Sequence, residues 1–145
     1  MVINGKKIVV KHKTLGFSGR HGWTVYPVTY HNNRYVVELI FSYGKELYHM
    51  PSEFCVKCYI HTYSEKRLLF RQHKKSQVWR GTISTFVKLG NNAYLSLRNL
   101  DDNDFLMHLP EILKDIFQQY ANYENEQKKS LDAFTAIESW DGVIR

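Results

Sequence analysis

Cys55 and Cys58 form a C-x-x-C, with His49 and His61 close by in the chain. Four such side chains could in principle hold a zinc ion, but the segment Phe54-Cys55-Val56-Lys57-Cys58-Tyr59-Ile60 reads as a strand with no Gly or Pro to turn it. Positions three apart on a strand point to opposite faces, so the two thiols diverge and no metal site is expected. The remaining histidines raise a different chemistry. Metal-free RNA cleavage needs an acid, a base and a cation around one phosphate, a set that His21, Tyr30, His31, His61, His73 and Arg71 supply if the fold gathers them. Their spacing gives no sign that it does. Two-metal nuclease chemistry needs clustered carboxylates, whereas residues 1 to 100 hold just Glu38, Glu46, Glu53 and Glu65.

The densest chemistry is cationic. Pairing Lys66 to Gln72 with Gln77 to Ser84 across a loop at Lys74 and Lys75 places Leu68, Phe70, Trp79 and Ile83 on a core-facing side. The opposite side then gathers Arg67, Arg71 and Arg80, with Lys74 and Lys75 at the tip. A basic two-stranded ribbon suits contact with phosphate or with guanine edges in a major groove. A second cluster comprises Lys6, Lys7, Lys11, Lys13, Arg20 and His21, with Lys11 and Lys13 sharing one face of their strand. Whether the two clusters merge into one stripe depends on strand order.

These groups sit on a chain whose charge is divided. Residues 1 to 100 carry sixteen Lys or Arg against four Glu, a net of +12, while residues 101 to 145 carry four against ten acids, a net of −6. A positive body attracts polyanions, nucleic acid first among them, and a negative end can dock on a basic protein.

The elements that must position these residues follow from hydrophobic period. Up to about residue 98 short segments rich in Val, Ile, Tyr, Phe and Trp alternate with turn clusters, which predicts strands at 7–13, 23–30, 34–43, 54–63, 66–72, 77–84 and 93–98. Gly19-Arg20-His21-Gly22, His31-Asn32-Asn33, Tyr43-Gly44-Lys45 and Gly90-Asn91-Asn92 supply the turns. The segment 34–43 is apolar nearly all round and is expected at the centre of the sheet, covered on both sides. Beyond Arg98 the period becomes helical. Asp101, Asp102 and Asp104 suit a helix N-terminus, Pro110 the first turn of a second helix, and Ile112, Leu113, Ile116, Phe117 and Tyr120 its buried stripe. A third helix is expected from about 125 to 139, carrying Leu131, Phe134 and Ile137, with Trp140 as either a core plug or an exposed anchor.

The expected fold is therefore α+β: a mostly antiparallel, twisted or partly closed sheet of six or seven strands followed by two or three C-terminal helices. At 145 residues it is expected to form one domain, with a basic β-rich body over 1–100 and an acidic helical part over 101–145. No phosphate-binding glycine loop, dinucleotide turn or nucleophile elbow occurs, so no cofactor is expected. No apolar run spans a bilayer and the first residues lack a signal peptide's apolar core, so a cytoplasmic protein without membrane contact is expected. The first functional expectation is a small non-enzymatic nucleic-acid-binding protein using Arg67, Arg71, Lys74, Lys75 and Arg80, with Lys11, Lys13 and Arg20 in support. The alternative is an inhibitor or immunity-type protein that binds another protein through its divided charge, and the third a small metal-independent ribonuclease. DNA against RNA and the oligomeric state stay open at this stage.

Overall fold

The architecture comes from a computed structural model, which describes residues 2–3, 6–15, 20–43, 54–64, 76–90, 92–98 and 100–144. Among the described residues the elements with stated bounds are nine strands and two C-terminal helices: β1 (Val2–Ile3), β2 (Lys6–Lys7), β3 (Val9–Leu15), β4 (Arg20–Tyr30), β5 (Asn33–Tyr43), β6 (Phe54–Thr62), β7 (Gln77–Ile83), β8 (Phe86–Leu89), β9 (Ala93–Ser96), α1 (Asp102–Met107) and α2 (Leu109–Glu138). Strands β3 to β7 form one antiparallel sheet in the order β3-β4-β5-β6-β7, while β1-β2 and β8-β9 are separate two-stranded sheets. The α+β class and the antiparallel sheet match the sequence reading. The smaller hairpins do not join the main sheet.

Turn chemistry explains the best-defined connection. His31 and Asn32 both adopt positive φ, 47° and 65°, which is the two-residue turn whose twist matches a hairpin, and Tyr30 then pairs with Asn33. On β5 the alternate residues Tyr35, Val37, Leu39 and Phe41 are buried, and so are Val56, Cys58 and Ile60 on β6. These side chains define the inner face, which α1 and α2 cover. Trp23 stacks on Phe105 at 4.4 Å, Tyr30 on Phe117 at 4.7 Å, and Trp79 meets Tyr120 at 5.9 Å. β5 is central, as expected, but complete cover on both sides does not hold. On its other side Val36 is buried while Glu38 and Ile40 are half-exposed.

The helical part begins as the acid cluster predicts. Asp101 caps α1 by accepting a hydrogen bond from the Asp104 amide at 2.8 Å, and Asp102 and Asp104 sit in its positive first turn. Pro110 lies in the first turn of α2. The separate third helix is corrected: α2 runs unbroken for 30 residues, about 45 Å at 1.5 Å per residue. Gln118 to Lys129 contains strong helix formers and neither Gly nor Pro, so nothing in it stops propagation. Only the first half of α2 is in the core, through Leu109, Ile112, Leu113, Ile116, Phe117 and Tyr120. Beyond residue 121 every described residue is exposed, and Leu131, Phe134 and Ile137 are 67, 68 and 69% exposed. Trp140 is an exposed side chain, its indole N–H donating to the Val143 carbonyl at 3.2 Å.

Candidate nucleic-acid interface

The inner face of the sheet is consumed by packing, which leaves its outer face available for chemistry. Strand register fixes what stands there. Lys11 pairs with Thr24, Thr24 with Glu38, Glu38 with Tyr59 and Tyr59 with Arg80, so these five residues form one row straight across the sheet. The neighbouring row reads Lys13, Gly22, Ile40, Lys57 and Thr82. Paired residues in an antiparallel ladder project to the same side, so both rows belong to one surface. Strand alternation adds Arg20, Tyr26 and Arg34 to it, and Tyr63 follows directly after β6.

Lys11, Lys13, Arg20, Arg34, Lys57 and Arg80 are all exposed. Glu38 is the one carboxylate on this face among the described residues, and its Oε1 lies 3.4 Å from Nε2 of His61. The aromatic groups are interleaved with the cations. Tyr26 and Tyr63 stack with ring centroids 6.1 Å apart across β5, whose Val36 is 2% exposed. Nζ of Lys11 lies 5.6 Å from the centroid of Tyr26, and the guanidinium of Arg34 lies 5.0 Å from that of Tyr63. Each distance is within the range for cation–π attraction. Tyr59 forms part of a shallow cavity of about 300 Å³ with Lys57, Arg80, Gly81 and Thr82. A second, of about 210 Å³, opens between Lys13, Thr24, Glu38 and Ile40.

The eight cations singled out from sequence divide cleanly. Lys11, Lys13, Arg20 and Arg80 are described, and all four stand on this one face, the first three on β3 and β4 and Arg80 at the far edge on β7. Arg67, Arg71, Lys74 and Lys75, and with them the proposed ribbon over 66–72, lie outside the described residues. Trp79 and Ile83 point inward as expected, 9% and 3% exposed, and Arg80 points outward. Arg34, Lys57, Tyr26, Tyr59 and Tyr63 were not selected from sequence. Period-two alternation along each strand placed them on a polar side, but their convergence depends on cross-strand register.

The other constellations are placed as follows. Cys58 is buried on the inner face and Cys55, half-exposed, is on the other side of β6, so the C-x-x-C cannot close on one ion within that strand. Burial, followed by the nearby Glu38 charge, pushes the Cys58 thiol up to about 12, which keeps it protonated and unreactive. Of the described members of the histidine set, Tyr30 and His31 meet with ring centroids 4.1 Å apart, whereas the histidines lie apart from one another. His21 and His31 stand ten residues apart on β4 and its turn, roughly 33 Å along an extended strand, and His61 is on the outer face beside Glu38. His73 and Arg71 lie outside the described residues. A pairing not anticipated is His12 Nε2 with His21 Nδ1 at 2.9 Å, with Asp102 Oδ2 4.0 Å from His12 Nδ1. Burial and then the His12 charge lower the His21 pKa, against a smaller opposing effect of Asp102. A further cavity of about 460 Å³ lies between Tyr30, His31, Pro110, Leu113, Lys114 and Phe117, and His31 is the one histidine that lines it.

No helix among the described residues is long and apolar enough to cross a membrane. No family model, curated protein or solved structure matches the chain.

Proposed function

We propose that this protein binds nucleic acid without chemically altering it, and that the outer face of its five-stranded sheet is the contact surface. One observation carries the reading. Among the described residues, six exposed cations from five adjacent strands stand on a single face with one carboxylate among them, and three tyrosines are set between them. Such a field draws polyanions and holds them by phosphate contact and counterion release. The cations at 66–75 extend the same charge in sequence and belong to the reading as further contacts.

The test is fluorescence anisotropy of labelled oligonucleotides at several salt concentrations. Binding should weaken as salt rises, and Lys11→Glu combined with Arg80→Glu should lower affinity at least about tenfold and flatten the salt slope by roughly one to two. Absence of binding at low salt would overturn the reading. Degradation of the oligonucleotide in the same samples would move it to a ribonuclease.

A protein-binding, inhibitor-type role is the second reading, and the second half of α2 favours it. There Leu131, Phe134 and Ile137 are exposed on a segment that also carries Glu124, Glu126, Asp132 and Glu138. Its partner would present a basic, partly apolar surface. Under this reading the sheet-face reversals leave partner binding intact, and Leu131→Ser with Phe134→Ser abolishes it.

A further inference from the structure

Polyanion attraction alone calls for cations and makes no use of tyrosines, yet the outer face alternates the two. We infer that the ligand is a single-stranded polynucleotide whose bases stack on Tyr59 and on the Tyr26–Tyr63 pair while its phosphates follow the cations. The inference rests on the nucleic-acid reading above and narrows it to one state of the ligand.

Three features of the face carry it. The first is shape. Five strands at about 4.8 Å spacing make a surface roughly 19 Å wide, too broad to enter a major groove about 12 Å wide. Neither described helix stands on this face, because both approach the sheet from the inner side. A duplex could therefore offer only its outer phosphates, and its bases, already stacked on both sides, could not use the rings.

The second is where the rings stand. Tyr59 lies between Glu38 and Arg80 in its row and borders the cavity of about 300 Å³ shared with Lys57, Gly81 and Thr82. A planar base can lie against that ring with Lys57 and Arg80 beside its phosphate. The Tyr26–Tyr63 pair has a cation at each side, Lys11 at 5.6 Å and Arg34 at 5.0 Å, so a second base can be held there by the same combination.

The third is the position of the carboxylate. Glu38 occupies the middle of the row and is held beside His61 at 3.4 Å. Negative charge there disfavours a phosphate at the centre, whereas the N–H groups on a base edge can donate to it. A single strand crossing the sheet can set successive phosphates against Lys11 and Lys13 at one side and Lys57 and Arg80 at the other, with a base over the middle of the row. A strand already paired in a duplex has no free base to lay on the rings.

The experiment compares one mixed-sequence dodecamer as single-stranded DNA, as single-stranded RNA and as the blunt duplex of each, by anisotropy with the full chain at about 0.1 M salt. The expected result is that at least one single strand binds ten times or more tightly than its duplex. Tyr59→Leu should weaken the single strand at least fivefold with little effect on the duplex, and Tyr59→Phe should restore it, since the ring and not the hydroxyl carries stacking. Circular dichroism of each variant checks that the fold is intact. The DNA and RNA arms identify which strand is preferred. Equal or tighter binding of the duplexes, or a Tyr59→Leu variant that binds single strands normally, would overturn this inference and leave the nucleic-acid reading standing. Failure of all four probes to bind would remove both.

Discussion

Cys55 and Cys58 differ by three positions and by nearly everything chemical. The pleat puts Cys58 in the core with no exposure and leaves Cys55 half-exposed on the other side. A thiol raised to about 12 carries almost no thiolate at neutral pH. A disulfide-exchange reagent should therefore modify one thiol per chain in the native state and two after denaturation; rapid modification of both in the native state would contradict the burial of Cys58. This divergence was legible in the sequence, because a strand's period of two is a local property. The contact between His12 and His21 was not. It arises because His12 pairs with Trp23 while Thr14 pairs with His21, a register set by the whole β3–β4 ladder. Its consequence is testable through pH. His21 has a folded pKa below its ordinary value of 6.5, so the folded state binds fewer protons than the unfolded one as pH falls past that value. Its contribution is complete above about pH 6.5 and is lost as pH drops through the lower folded value. The urea midpoint of the native chain should fall between pH 7 and pH 5, and that of His21→Gln should fall less.

At the scale of elements, α2 is two structures on one backbone. Ile116 is 1% exposed beneath the sheet, and Ile116→Ala should cost about 3 kcal/mol from lost transfer energy and the cavity left behind. Phe134 makes no core contact, and Phe134→Ala should change stability by less than about 0.5 kcal/mol. Denaturant melts of the two variants measure both. The outer half is supported by local interactions such as the Thr135 hydroxyl donating to the Leu131 carbonyl at 3.0 Å and the exposed Lys129–Glu126 pair at 4.0 Å. Pairs of that kind contribute a few tenths of a kcal/mol at most. Amides beyond about residue 125 should accordingly exchange hydrogen far faster than those of 112–120, and equal protection would show that the second half is covered in solution. The buried stripe of α2 was legible because a 3.6 period is written in five apolar residues. Its continuation was less so, since the apolar pattern lapses between Tyr123 and Leu131 and suggested two helices where backbone propensity sustains one. β8 was missed for a related reason. Four residues, Phe86 to Leu89, are too few for a period to declare itself, and their strand is fixed by pairing with β9 and by Val87 entering the core.

For the whole molecule the question is whether the acidic end cancels the basic face. The charges are −6 over residues 101–145 and +12 over 1–100, so in a medium without salt they would attenuate each other strongly. Geometry and screening keep them apart. α2 meets the sheet from the inner side, whereas the six cations project from the outer side. At physiological ionic strength the Debye length is about 8 Å, so a carboxylate on the outer half of α2 is largely screened from any partner it does not touch. The number of phosphates held should therefore be set by the face itself. If all six cations each engage one phosphate, the logarithm of affinity for a single strand should fall with the logarithm of salt at a slope of about −4, from roughly 0.7 per contact. Titrations between about 50 and 300 mM salt measure it, on a site that must then span at least about six nucleotides. Glu124→Gln with Glu126→Gln should then change affinity less than about twofold at 150 mM salt and leave the slope unaltered. A slope steeper than about −6 would place the cations at 66–75 in contact as well, enlarging the interface beyond the sheet. A slope near zero with binding retained would mean that phosphate contact is not the source of affinity, and the sheet face would lose its claim to the ligand.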